Sequence, residues 1–166
     1  MHARALGIRC PLFAPSDALG PFVTVIVSGV DISVQTSVRA SLAIVWREFN
    51  QPSSILQWDA TPDWVTSWCA NEVRVGGRLE QLIEPRSDGS PLHFRATYVT
   101  VEPMRSLTWQ TDQGQTVRVE FADDDRGNVT LHQTFSADPA ESVDEQREEW
   151  QRVLDGFARH VACVIA

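Results

Sequence analysis

A glutamine on the apolar side of a strand is the residue that most demands a chemical explanation. In Val129-Thr130-Leu131-His132-Gln133-Thr134-Phe135, alternation puts Gln133 in phase with Val129, Leu131 and Phe135. Alternate residues of a strand share a face, and a buried amide has to be hydrogen-bonded. Gln133 therefore meets a protein group, a water or a ligand. A polar group in a pocket is the preferred reading, and a partly exposed strand face is the alternative. Tyr98 stands in phase with Phe94 and Ala96; its hydroxyl either orients a ligand carbonyl or carboxylate or meets the backbone. There are six tryptophans. Trp64 and Trp68 have the same parity on one strand, and Trp150 lies midway along a C-terminal helix with Leu154 one turn further on. Large rings with one N–H donor suit a pocket that needs apolar walls and a polar contact, although plain core packing uses them equally well. Trp46, Trp58 and Trp109 read as core. The expected ligand-binding set is Trp64, Trp68, Phe94, Tyr98, Gln133, Trp150 and Leu154.

Acid–base candidates are few. His93 and His132 fall opposite the apolar residues of their strands and are expected on the outer face, as is Arg95. His160 lies near the end of the long helix, where the dipole favours a cation. Arg74 and Arg78 flank a Gly-Gly turn, as a rim for an anionic head or as solvated turn residues. Nothing matches a nucleophile elbow, a P-loop or a dinucleotide fingerprint. Cys10, Cys69 and Cys163 cannot all pair within one chain, and none has zinc-ligand spacing. Asp123-Asp124-Asp125 precedes Gly127-Asn128 without the rest of a calcium loop, so it reads as a solvated hairpin turn. No metal or cofactor is expected, and the catalytic residues, if any, are unknown.

These residues need elements to position them. Ile32, Val34, Thr36 and Val38 alternate with polar neighbours as in a half-buried strand. Leu42, Val45, Trp46 and Phe49 make a helix face that Ser41 is placed to cap. Pro52 opens a second short helix carrying Ile55 and Trp58. Strands are then expected near 64–71, 78–84, 92–101 and 106–110, around Val117, Val119 and Phe121, and through Val129–Phe135. Short connections between the later ones imply antiparallel neighbours. Ser142-x-x-Glu145 is a capping box, and Val143, Trp150, Val153, Leu154, Phe157, Val161 and Val164 recur at helical spacing. Gly156 weakens that helix by about 1 kcal/mol relative to alanine, which points to close packing or a bend over a pocket.

At 166 residues, 43% of them apolar, the chain suits one domain. A net charge of −8 argues against nucleic acid as partner. No apolar run is long enough to span a membrane, and prolines interrupt any N-terminal signal-like segment, so the expected location is the cytoplasm. Residues 1–28, rich in proline and glycine, read as a partly disordered extension; residues 29–166 form the domain. The oligomeric state is left open.

Order and residue identity together resemble the activator of heat-shock-protein-90 ATPase homologue family of the START-like (SRPBCC, helix-grip) superfamily. The resemblance runs over Val45-Trp46-x-x-Phe49, Trp58, Asp63-Trp64, Val73-Arg74-Val75-Gly76-Gly77-Arg78, Thr97-Tyr98-x-x-Val101-Glu102-Pro103, Val117-x-Val119, Thr134-Phe135 and Gln146-Arg147-x-x-Trp150-x-x-x-Leu154. It implies an α+β fold in which a curved antiparallel sheet wraps a long C-terminal helix, with two short helices after the first strand and an apolar cavity between sheet and helix. Such a cavity would take a small hydrophobic ligand, lipid or polyketide-like. One alternative is an enzyme of the cyclase/hydrolase-like type acting on a small apolar substrate. Another is a chaperone-related interaction module, which the short upstream segment does not support. Where relatives often carry Glu-Gly, Glu and Gly, this chain has Arg95-Ala96, Gln133 and Glu149, so a proposal resting on carboxylates at those strand positions does not transfer.

Overall fold

The structure is a computed structural model, and residues 29–166 are described; the expected N-terminal extension lies outside them. Ten elements follow one another: β1 (Asp31–Val38), α1 (Leu42–Asn50), α2 (Pro52–Trp58), β2 (Trp64–Asn71), β3 (Arg78–Pro85), β4 (Leu92–Glu102), β5 (Ser106–Thr111), β6 (Thr116–Asp123), β7 (Val129–Ser136) and α3 (Val143–Val164). The seven strands form one curled antiparallel half-barrel in the order β1-β7-β6-β5-β4-β3-β2. Six of the seven are neighbours in sequence joined by short links. β1 instead closes on β7, pairing Ile32 with Phe135 and Val34 with Gln133.

Local chemistry sets the ends of the elements. Ser41 Oγ accepts from the Ile44 N–H, Pro52 opens α2, and Ser142 Oγ accepts from the Glu145 N–H at the start of α3. The two glycines after Val75 do different jobs. Gly76 has φ +75°, whereas a Cβ on Gly77 would stand 2.0 Å from the Glu72 carbonyl oxygen. Gly76 N–H donates to the Tyr98 carbonyl and Tyr98 N–H to the Gly77 carbonyl, so the turn also registers β4. Gly77→Ala is expected to cost about 1–3 kcal/mol, as overpacking does, read as a lower midpoint in urea.

The inner face of the sheet carries Ile32, Val34, Leu107, Val117, Val119, Leu131 and Phe135, all buried, and α3 covers them with Leu154, Phe157 and Val161. Helix α3 is also tied to the open edge of β1, where Gln151 pairs with both the N–H and the C=O of Gln35; this caps groups that would otherwise template another strand. Gly156 reflects close packing: a Cβ there would lie 3.0 Å from the Trp58 carbonyl oxygen at the end of α2.

Two bulges change which residues face inward. In β2 the register shifts between Thr66 and Trp68, and in β4 between Tyr98 and Thr100. An extra residue reverses the alternation beyond it. Thr66 is therefore buried while Trp68, of the same parity, is 50% exposed, and beyond the buried Tyr98 both Val99 and Thr100 are exposed.

Candidate functional site

Between α2, the β2–β5 half of the sheet and the N-terminal half of α3 lies a cavity of about 740 Å³, open on one side. Its walls include Phe49, Ile55, Leu79, Phe94, Trp150 and Val153. Trp150 stacks on Phe135 with ring centroids 4.4 Å apart, which fixes the plane it presents.

Of the residues singled out from the sequence, Trp64, Phe94, Tyr98, Gln133 and Trp150 line this cavity. Two do not. Trp68 faces outward because the bulge at Ser67 breaks the parity it was expected to share with Trp64. Leu154, 1% exposed, lies within the core beside Phe157 rather than on the cavity wall. Conversely Trp58 and Trp109, read as pure core, both reach the cavity. His93 and His132 are exposed on their strands. Arg74 pairs with Glu72, while Arg78 reaches Asp112 and Thr97.

The polar groups divide into a floor and a mouth. On the floor, the Tyr98 hydroxyl donates to Asn71 Oδ1 at 2.8 Å, and Asn71 Nδ2 donates to the Asn50 carbonyl at 2.8 Å. The only proton of Tyr98 is thus committed to the Asn71 side chain, and neither to a ligand nor to the backbone, the two readings the sequence left open. Burial pushes its phenol well above the ordinary tyrosine range. Beside it, Asp59 Oδ2 accepts from the Thr66 hydroxyl (2.8 Å) and Gln81 Nε2 (2.6 Å). Asp59 is 8% exposed, and burial lifts its carboxyl to about 6 despite those two donors. Cys69 on the adjoining strand is pushed up to about 12 by burial and by the charge of Asp59, which makes it a poor nucleophile. Gln133 is 5% exposed and lines the cavity, yet its amide makes no hydrogen bond among the described residues.

At the mouth, Trp64 Nε1 donates to Glu149 Oε1 at 2.6 Å, joining the start of β2 to α3. Glu149 also pairs with Arg152 at 3.0 Å. Asp63, Glu145 and Glu148 surround the opening.

A second polar cluster lies behind the cavity, at the junction of the three helices. Glu48, 5% exposed, accepts from Ser54 Oγ (2.7 Å), His160 Nε2 (2.9 Å) and Arg47 Nε (2.8 Å). A carboxylate has no proton to give, so Nε2 of His160 carries the hydrogen. His160, expected near the helix end where the dipole favours a cation, is the α3 half of a part-buried clamp.

Gln81 was missed although its signal is the same as that of Gln133: it alternates with Leu79 and Ile83 on β3. Asp59 had no such signal, because it lies just beyond a short helix, outside any strand alternation. Among the described residues there is no cluster of three metal-ligating side chains and no helix long and apolar enough to cross a membrane.

The profile of the family described as Activator of Hsp90 ATPase homolog 1-like protein matches residues 39–162. The chain belongs to this family. The match takes in every element from α1 to most of α3 and hence the whole cavity. Among solved structures, the chain is similar to an AHSA1-like protein from Aeromonas hydrophila, with 29% identity, a TM-score of 0.75, and 81% of this chain and 94% of that chain covered. It shares its fold with Chr148 from Cytophaga hutchinsonii (21% identity, TM-score 0.71, 81% and 94% covered). The same holds for CV1439 from Chromobacterium violaceum (20%, 0.69, 78% and 96%). No curated protein matches. As an AHSA1-like protein it has the helix-grip fold that the sequence resemblance implied.

Proposed function

We propose that this AHSA1-like protein binds a small hydrophobic molecule, lipid or polyketide-like, in the cavity between sheet and C-terminal helix. The observation that carries the reading is Gln133: a nearly buried amide on the cavity wall with no protein partner. Its amide atoms face the open cavity, and a ligand with one polar group can take up the hydrogen bonds that water takes in the empty protein. Trp64, Phe94, Tyr98 and Trp150 supply the surrounding surface. The volume of about 740 Å³ falls in the range of small-molecule sites.

Native mass spectrometry of freshly purified protein, followed by a thermal-shift panel of lipids and aromatic polyketide-like compounds, tests the reading. A retained small molecule or saturable one-to-one binding is expected; neither appearing would overturn it. Gln133→Leu sharpens the test. It is expected to weaken the ligand about tenfold, because the hydrogen bond made by the amide in the complex is lost.

An enzymatic reading for a small apolar substrate draws on Asp59, the titratable group set deepest in the floor. No histidine lines the cavity among the described residues, and the nearest partners of Asp59 are a hydroxyl and an amide. Binding needs only what the floor displays, whereas acid–base turnover needs a second group placed beside Asp59.

A further inference from the structure

The charges around the cavity select among hydrophobic ligands. We infer that the occupant is an apolar molecule bearing one basic nitrogen, an amphipathic amine, with the Asp59 carboxylate as its counter-ion. This rests on the binding reading above and narrows it.

Three independent features lead there. First, the two protein donors to Asp59 both converge on Oδ2, and no arginine or histidine forms an ion pair with it among the described residues. The chain contains no lysine at all. A buried carboxylate without a cation is expensive, so it either stays protonated or takes its cation from the occupant. Second, the lining carries the carboxylates of Asp59, Asp63, Glu141, Glu145, Glu148 and Glu149 against the single guanidinium of Arg152. That guanidinium is already engaged by Glu148 and Glu149. A cleft of one sign concentrates ions of the other and repels its own; anionic headgroups such as fatty-acid carboxylates are disfavoured at the mouth and again at the floor. Third, the walls are aromatic, with Trp58, Trp109, Trp150 and Tyr98 all on the cavity, and ring faces attract cations. Gln133, unpartnered and nearly buried, supplies a second polar contact for the same occupant.

The test uses three probes with one apolar body and different heads: 2-naphthylmethylamine, 2-naphthylmethanol and 2-naphthoate, titrated calorimetrically into the full-length protein at pH 7.5. The amine is expected to bind with one-to-one stoichiometry about tenfold more tightly than the alcohol, the margin of a charge-assisted over a neutral hydrogen bond, and the carboxylate more weakly than either. Asp59→Asn is expected to bring the amine level with the alcohol, read as the ratio of the two affinities measured in the same variant. Should that variant not fold, a ¹³C titration of the Asp59 carboxyl in the unaltered protein gives the same answer: its midpoint falls with the amine and not with the alcohol. If none of the probes binds, the cavity reading falls and this inference with it. If the alcohol binds but the amine no better, or if the carboxylate binds best, only the charge selection is overturned. An amine preference surviving in Asp59→Asn, or a ¹³C titration midpoint that the amine leaves unmoved, removes Asp59 from the role.

Discussion

Glu48→Ala is expected to destabilise the protein by about 3 kcal/mol, the cost of breaking a buried ion pair at the lower end of its range because Arg47 keeps its head in water. The carboxylate lies where α1, α2 and α3 meet, and it is the common acceptor for Ser54, His160 and Arg47. Removing it leaves the Ser54 hydroxyl and the His160 ring, 14% exposed, facing each other without an acceptor. Desolvation alone would raise the Glu48 carboxyl; hydrogen bonds from Ser54, His160 and Arg47 outweigh it and hold the group at about 2 instead of 4.5. A depressed folded-state value means stability that is present above about 4.5 and lost as the pH falls towards about 2. A urea titration at pH 7 should show the loss in Glu48→Ala. In a pH series the variant should lack much of the acid-limb decline of the unaltered protein. Equal midpoints at pH 7 would mean that the three helices hold together without this clamp.

Asp59→Asn is expected to act in the opposite direction, stabilising the free protein at pH 8 by about 2 kcal/mol. Burial raises the Asp59 carboxyl from 3.8 to about 6, so the folded state holds its proton over a range where the unfolded chain has released it. Stability from this group is complete below about 4 and falls as the pH rises through about 6. That rise corresponds to about 3 kcal/mol, from which some is subtracted because the new amide must place its N–H₂ towards the cavity. Its oxygen can still accept from Thr66 and Gln81. Thermal unfolding should therefore show a gain for Asp59→Asn at pH 8 that vanishes at pH 4. A gain that persists at pH 4, or a loss at pH 8, would mean that Asp59 is not an uncompensated buried charge. A group that weakens the empty protein is the kind of group a binding site retains.

These two carboxylates, eleven positions apart, show why burial alone does not decide protonation. Glu48 faces three donors, two of them on basic side chains, and stays ionised. Asp59 faces two neutral donors and an apolar hollow, and its charge is disfavoured. The Trp64–Glu149 bond across the mouth belongs to the same economy of charge. It occupies one mouth carboxylate and leaves the others to set the sign of the field.

Periodicity was enough to read the element types and most of their boundaries. Alternation in Ile32–Val38, Leu92–Tyr98 and Val129–Phe135, the helical spacing of Trp150, Leu154, Phe157 and Val161, and the caps at Ser41, Pro52 and Ser142 are all local, because each depends on residues within a few positions of one another. The same locality made Gln133 visible as a polar residue on an apolar face, and it would have shown Gln81 as well. What the tertiary structure alone decided is everything that depends on a bulge or on a distant neighbour. One extra residue at Ser67 turns Trp68 out to solvent, and no propensity marks it. Leu154 and Trp150 share a helix face, yet only the height of α3 over the sheet makes one core and the other cavity wall. His160 meets Glu48 across 112 positions of chain, and Asp59 acquires its raised pKa from strands that come later in sequence. Side-chain period is a property of the backbone, whereas burial, pairing and charge balance are properties of what the folded chain brings alongside.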